Sequence, residues 1–278
     1  MRALFIGLFA ALLMPVAVSA QTLERIKETG KFVIGFRTDA APLSYLDNNQ
    51  PNGYTPALCL SVAAELGAGL GMTDLEIVLQ SVDTENRFDL VAAGEVDLLC
   101  GAATITLSRR EIVDFSTPIY VDGATVAMKT DGPETMAGLA GMKIGVRSGT
   151  TTLEALENTL SADGIDAEIV QFSDHPSGVA ALEGDAIQAY FADQSILMHL
   201  VLQKANAKDY KVLNEILTVE KQGLAMARGD TDFRLAVDAA LSELYQDGTM
   251  RAIFAEKLPN IEPGLALEAM YLLAPTLP

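Results

Sequence analysis

Short apolar runs alternate with amphipathic helical stretches along most of this chain, and that alternation limits the folds open to it. Residues 32–36, 75–79 and 96–100 are predicted strands, and residues 55–66 and 84–93 are predicted helices. This β-α-β-α-β order predicts parallel strands joined by right-handed crossovers. The first part of the chain is therefore expected to form an α/β unit.

The same pattern restarts further along the chain and predicts a second α/β unit. Its predicted strands are 143–147, 168–172 and 187–191, and its predicted helices are 150–160, 176–182 and 195–202. The remaining predicted elements are a strand at 223–228 and helices at 232–245, 249–256 and 265–273.

Two such units predict two lobes, each of ordinary domain size. If the late helices complete the first lobe, the chain must cross between the lobes twice, near residues 123–127 and 218–224. We expect a first lobe of residues 21–124 and 224–278 and a second lobe of residues 125–223. Two adjacent strand-like crossings would form a hinge.

Residues 1–20 are predicted to be a secretory signal peptide. Arg2 precedes an almost wholly apolar stretch, and the small residues Val18, Ser19 and Ala20 suit a cleavage site. The alternative is a membrane anchor, which is disfavoured because the apolar run is short for a spanning helix. The mature chain is expected to begin at Gln21 and to be soluble and exported.

Charge and cysteine content limit the partners further. A formal net charge of −18 over 278 residues argues against nucleic acid or an anionic membrane surface as a partner. It does not argue against a small anionic ligand, because a closed pocket sets its own local field. Cys59 and Cys100 either form a disulfide, which an oxidising compartment favours, or remain two buried free thiols.

No feature of the sequence indicates catalysis. The motifs G-x-S-x-G, H-E-x-x-H, G-x-G-x-x-G and the Walker loop are absent. His199 lies in an apolar helical stretch, and His175 lies at a strand-to-helix junction, where it is either a binding residue or part of a surface turn. We expect a monomer without enzymatic activity, cofactor or metal; two cysteines and two distant histidines are too few for a zinc site.

Polar side chains gather where predicted strands end. Residues 100–110 run from an apolar strand through small and hydroxyl residues to Arg109, whose guanidinium can grip a carboxylate with two parallel hydrogen bonds. Arg37, Thr150 and Asp193 also lie just beyond strand ends. Because open α/β sheets bind ligands at the carboxyl ends of their strands, these residues predict a cleft between the lobes.

Several short motifs give the chain a resemblance to a known family. They include residues 23–31, Gly35-Phe36-Arg37, residues 42–45, Gly53-Tyr54, residues 58–60, Asn86-Arg87, residues 96–120, Gly149-Thr150-Thr151, Ser173-Asp174-His175 and Gly223-Leu224-Ala225. In this order and spacing they resemble the periplasmic solute-binding proteins, family 3, of polar amino-acid ABC transporters. Within that family, the glutamate/aspartate-binding proteins are the nearest likeness.

The resemblance implies a type II periplasmic-binding fold, two Rossmann-like lobes joined by a two-strand hinge, and a set of ligand contacts. Arg109 would hold the α-carboxylate beside Thr104 and the backbone N–H groups near Ala102, Asp193 would accept from the α-ammonium, and Thr150 would donate to a carboxylate. The residues implied around a side-chain carboxylate are Arg37, Thr84, Arg87 and His175. Three arginines against one aspartate leave a charge of about +2 with His175 neutral, which favours an anionic ligand.

Four residues depart from the glutamate/aspartate pattern. Ala102 and Ala103 replace hydroxyl residues, Leu43 replaces an aromatic residue of the expected apolar wall, and Gln222 replaces a tyrosine. A dicarboxylate without an amine, or a bulkier acid, therefore stays open.

The resemblance implies a periplasmic protein that captures an acidic, glutamate- or aspartate-like amino acid by hinge closure and delivers it to an ABC transporter permease in the inner membrane. The alternatives on the same fold are an exported sensor protein and a periplasmic dehydratase-like enzyme.

Overall fold

The structure is a computed structural model that describes residues 22–201, 206–259 and 261–276. The predicted signal peptide, residues 1–20, lies outside the described residues. Within those ranges, no helix combines the length and the apolar character needed to cross a membrane.

The described elements are helices and short strands in the predicted alternation. The helices are α1 (Thr22–Thr29), α2 (Tyr54–Gly69), α3 (Arg87–Ala92), α4 (Thr151–Asp163), α5 (His175–Glu183), α6 (Gln194–Leu200), α7 (Thr231–Gln246), α8 (Thr249–Lys257) and α9 (Leu265–Leu273). The strands are β1 (Lys31–Arg37), β2 (Asp39–Ala40), β3 (Ser44–Asp47), β4 (Gln50–Asn52), β5 (Glu76–Val82), β6 (Leu98–Cys100), β7 (Val113–Phe115), β8 (Tyr120–Asp122), β9 (Ala124–Lys129), β10 (Lys143–Arg147), β11 (Glu168–Phe172), β12 (Ala189–Asp193), β13 (Tyr210–Val212), β14 (Glu220–Gln222) and β15 (Ala225–Ala227).

Two five-stranded sheets form the centres of two lobes. The first sheet has the order β5-β1-β6-β15-β7 and the second has the order β11-β10-β12-β9-β13. Three strands in each sheet are parallel. In the first sheet β1 pairs with β5 and β6, and in the second sheet β10 pairs with β11 and β12. The remaining pairs in each sheet are antiparallel. The predicted two-lobed α/β fold is thus confirmed, with antiparallel strands added at the side of each sheet.

The chain crosses between the sheets through β8 and β14, which pair with each other in antiparallel fashion. The second crossing lies within the predicted range. The first was predicted too late in the chain, because Ala124 already begins β9 of the second sheet and pairs with Asp193. The residue boundaries proposed for the two lobes stay a prediction.

Helix α3 begins at Arg87, three residues after its predicted start. A hydrogen-bonded turn precedes it: Oδ1 of Asp83 accepts from the N–H groups of Glu85 and Asn86, and Oδ1 of Asn86 accepts from the N–H of Asp83. These side-chain bonds compete with helical backbone bonds and delay the helix.

A disulfide joins Cys59 in α2 to Cys100 at the end of β6, with Cα atoms 6.3 Å apart. Both cysteines are fully buried, so the bridge ties the helix to its sheet inside the first-lobe core. This confirms the predicted pairing over the alternative of two free thiols. Leu43 is also fully buried in this core.

Candidate functional site

A small cavity lies between the lobes, where strands of both sheets end, and encloses about 330 Å³ of empty space when the solvent at its mouth is included. The residues that line it are Arg37, Arg87, Ala102, Thr104, Arg109, Arg147, Thr150, Thr151, Thr152, His175, Phe191, Ala192, Asp193 and Ile196.

Eight of the nine ligand contacts that the resemblance implied line this cavity. The ninth, Thr84, contacts the second lobe beside it: its hydroxyl donates to the carbonyl of Ser148 at 2.9 Å and accepts from the guanidinium of Arg147. Gly149 permits this approach, because a Cβ at that position would lie 2.9 Å from Oγ1 of Thr84 and the residue has a φ of 66°. The sequence did not single out Arg147.

Arg37 and Arg147 share one carboxylate. Nε and Nη2 of Arg37 donate to Oδ1 of Asp39 at 3.0 and 2.8 Å, and Nε of Arg147 donates to Oδ2 at 2.6 Å. All three side chains are buried. Burial alone would raise the pKa of Asp39, but the surrounding positive charges, that of Arg37 first, outweigh it and hold that pKa well below its usual range. This ion-pair network joins the lobes.

Arg87 and Arg109 differ from that pair, because no ion pair within the described ranges joins either one to a carboxylate. Nη1 of Arg87 donates to the carbonyl of Ala102 at 3.1 Å, while its buried Nε has no partner. Nη1 of Arg109 donates to the carbonyl of Thr104 at 2.9 Å. Both guanidinium groups lie over the ring of Phe88, at 4.8 and 5.1 Å from its centroid. Burial lowers the pKa of Arg87 first, and Arg109 and Arg37 lower it further.

The acidic side of the cavity is formed by Asp193, the last residue of β12. Its Oδ2 accepts a hydrogen bond from Nε2 of Gln222 at 2.8 Å. Burial raises the pKa of Asp193, and the neighbouring carboxylates of Asp122 and Glu220 raise it further. An ionised Asp193 therefore needs a cation close by.

Glu220 in hinge strand β14 contacts both lobes and was missed by sequence reasoning. It accepts hydrogen bonds from the hydroxyls of Thr104 in the first lobe and Thr151 in the second, the latter at 2.9 Å. Thr218 donates to its other oxygen at 2.8 Å. The sequence did contain a signal for this residue. The predicted second crossing includes both Glu220 and Gln222, and side chains two residues apart lie on the same face of a strand.

The hydroxyl of Thr150 and the imidazole of His175 already have hydrogen-bond partners within the protein. The Thr150 hydroxyl caps α4 by accepting from the N–H of Leu153 at 3.2 Å and donates to the carbonyl of Arg147 at 2.8 Å. Its proton therefore points away from a ligand. Nδ1 of His175 lies 3.0 Å from the Tyr190 hydroxyl, and burial, with Arg37, lowers the pKa of His175 to about 3. This histidine is neutral at physiological pH.

The charge of the site follows from these contacts. Four arginines line the cavity, and three carboxylates lie on it or bond to its lining: Asp39, Asp193 and Glu220. With every group ionised and His175 neutral, the balance is +1, since four positive charges meet three negative ones. The site is less positive than the sequence predicted, yet it still favours an anion.

The departures from the expected pattern have different consequences. Ala102 lines the cavity, whereas Leu43 is buried in the first-lobe core and is absent from the described lining. Leu43 therefore contributes no wall to this cavity, and the effect of its replacing an aromatic residue stays a prediction. Over the part of the chain that the structure describes, no cluster of His, Cys, Asp and Glu could hold a metal ion.

Comparisons with known proteins agree with this architecture. The chain is 30% identical over 237 residues to the L-glutamate/L-aspartate-binding protein of Pseudomonas aeruginosa, covering 84% of this chain and 78% of that protein. It is 27% identical to the L-cystine-binding protein TcyJ of Escherichia coli, covering 83% of this chain and 84% of that protein.

Among solved structures, an ABC uptake transporter substrate binding protein from Streptococcus pneumoniae with bound histidine matches with a TM-score of 0.77 and 20% identity. The match covers 87% of this chain and 98% of that chain. At this identity the likeness shows the fold alone.

Residues 32–258 match the model of the bacterial extracellular solute-binding proteins, family 3. That match spans most of the chain and both sheets, so the protein belongs to this family.

Proposed function

We propose that this protein captures an acidic amino acid in the periplasm and delivers it to an ABC transporter permease in the inner membrane. The lobes would close around the ligand, with the paired crossings β8 and β14 as the hinge. Periplasmic binding proteins as a class close their two domains around a ligand by such a hinge motion. The ligand shifts the population toward the closed form by the contacts it makes only there.

One observation carries the proposal: Arg87 is a buried cation without a carboxylate partner among the described residues. It is 1% exposed, lines the cavity and has an Nε atom with no hydrogen-bond acceptor. A buried unpaired charge costs several kcal/mol, on the order given for desolvated ions. A ligand carboxylate that reaches Arg87 supplies both an acceptor and a neutralising charge, whereas an amide supplies only an acceptor and an ammonium group supplies neither.

The remaining polar groups fit the other end of an amino acid. Arg109 also lacks a carboxylate partner in the described ranges and suits the α-carboxylate. Asp193, whose pKa is raised by burial and by two neighbouring acids, suits the α-ammonium. The Pseudomonas relative named for glutamate and aspartate supports this assignment, and the cystine-binding relative shows that ligands differ within the family.

Calorimetric titration of the purified protein tests the proposal. Glutamate and aspartate are expected to bind more tightly than glutamine, arginine, cystine or glutarate, a dicarboxylate without an amine. Replacing Arg109 or Arg87 with glutamine should weaken glutamate binding by about thirtyfold or more, because a charged hydrogen bond of roughly 2 kcal/mol is lost. Arg110→Gln, an exposed neighbour, is the matched control and should bind like the wild type.

A preference for arginine, or an unchanged affinity in both site variants, would contradict the proposal. Recovering the ligand unaltered after prolonged incubation separates binding from turnover. A chemically changed ligand would instead favour the dehydratase-like alternative.

A further inference from the structure

Asp39 is placed between two cations that come from different lobes. It lies in the short strand β2, is 8% exposed, and is not among the described residues that line the cavity. Both of its partners do line it. Each carboxylate oxygen is used, Oδ1 by Arg37 and Oδ2 by Arg147.

We propose that Asp39 sets the charge preference of the site by neutralising part of the Arg37 and Arg147 charge from behind the cavity. The inference rests on the proposed function and names the residue that tunes it. With Asp39 ionised, Arg87 and Arg109 remain the cavity arginines without a carboxylate partner in the described chain, one for each carboxylate of an acidic amino acid. Without that charge, none of the four cavity arginines would have a carboxylate ion-pair partner among the described residues, and the charge balance of the site would rise from +1 to +2.

The physical basis is the Coulomb interaction at low effective dielectric constant. Two unit charges near a protein surface interact by about 4 kcal/mol at 4 Å, and the interaction falls only inversely with distance. The Asp39 carboxylate, which lies behind the two arginines that line the cavity, therefore still weakens the binding of a negatively charged ligand group. Asp39 acts through the two arginines and is a positioning residue, since it does not contact the cavity.

The variant Asp39→Asn tests this role, because it keeps an oxygen acceptor and removes the charge. Glutamate and glutamine form the matched ligand pair, with the same shape and one unit of charge between them. The ratio of glutamate to glutamine affinity should rise by about tenfold in Asp39→Asn. A merely structural role would weaken both ligands alike and leave the ratio unchanged. Asp39→Glu retains the charge and should keep the wild-type ratio even if its absolute affinities fall.

A second measurement requires no amino-acid ligand. Sulfate is the probe, and the thermal midpoint is recorded against its concentration for the wild type, Asp39→Asn and Asp185→Asn. Asp185 is exposed and pairs with Lys129 at the surface of the second lobe, so its variant controls for the loss of one negative charge. Sulfate should raise the midpoint of Asp39→Asn more than that of the other two proteins.

The two measurements distinguish a failure of the proposed role of Asp39 from a failure of the proposed function. If the wild type binds either glutamate or glutamine, an unchanged or lower affinity ratio in Asp39→Asn overturns the role of Asp39. If the wild type binds neither, the proposed function fails, and the sulfate measurement decides: an added stabilisation confined to Asp39→Asn supports the role, and equal shifts overturn it.

Discussion

Gln222 donates a hydrogen bond to Asp193, with Nε2 2.8 Å from Oδ2. Gln222 belongs to hinge strand β14, and Asp193 ends strand β12 of the second lobe. Only the amide NH₂ can donate to a carboxylate, so this contact fixes the orientation of the side chain and leaves the buried Oε1 without a partner. The hinge thus supports the acidic side of the cavity directly.

Replacing Gln222 with leucine should weaken glutamate binding at neutral pH by about tenfold, since a hydrogen bond to a charged group contributes roughly 1.5–3 kcal/mol. The variant removes the donor that favours the ionised form of Asp193, whose pKa is already raised by burial and by Asp122 and Glu220. Titration calorimetry measures the effect, and the defect should shrink as pH rises. Gln246→Leu, at an exposed position of α7, is the control; equal affinities in the two variants would count against this role.

Proton release is expected when the ligand binds. In the free protein the pKa of Asp193 is raised well above its ordinary value, first by burial and then by Asp122 and Glu220. Below that raised pKa the carboxyl holds a proton, and an α-ammonium group displaces it. Affinity should therefore increase with pH across this window, while the ligand-free fold loses stability as pH rises, because the folded state binds more protons than the unfolded chain. Calorimetry in buffers of different ionisation enthalpy counts the protons, and Asp193→Asn should release none.

Local sequence patterns were sufficient for most of the fold because strands and helices repeat with different periods. β10, β11 and α9 begin and end where the pattern placed them, and the carboxyl-end rule brought Arg37, Arg109 and Asp193 to one cavity. The errors in α3 and in the first crossing have local causes, a side-chain turn and an early strand start.

The missed residues act across elements that are far apart in the chain. Arg147 was visible as the last residue of a predicted strand, but its pairing with Asp39 depends on how the lobes meet. Glu220 contacts Thr104 and Thr151 only because β14 lies between the lobes. No single-sequence pattern specifies such contacts, so the predicted charge balance left out Arg147, Asp39 and Glu220, which together carry one negative charge.

Reducing the Cys59–Cys100 disulfide should lower the free energy of unfolding by about 4 kcal/mol, from the loss of the constraint on the unfolded chain. The bridge closes a sequence separation of 41 residues. Urea unfolding with and without reductant measures the difference, and a Cys59→Ala/Cys100→Ala double variant should match the reduced protein and no longer respond to reductant. A reductant effect of equal size in the double variant would show that the loss has another origin.

Arg87→Met should stabilise the ligand-free protein while abolishing its stabilisation by glutamate. The buried guanidinium has an unpartnered Nε, and burial lowers its pKa well below the ordinary value, so replacing it with an apolar side chain removes an uncompensated charge. We expect a gain of about 1 kcal/mol or more in the free energy of unfolding, despite the lost bond to the Ala102 carbonyl. Urea unfolding with and without glutamate measures both effects. Arg110→Met, at the exposed neighbouring position, should change stability by less than about 0.5 kcal/mol and retain the glutamate response. A ligand-free Arg87→Met protein less stable than the wild type would mean that this arginine is satisfied by the fold itself and does not wait for a carboxylate.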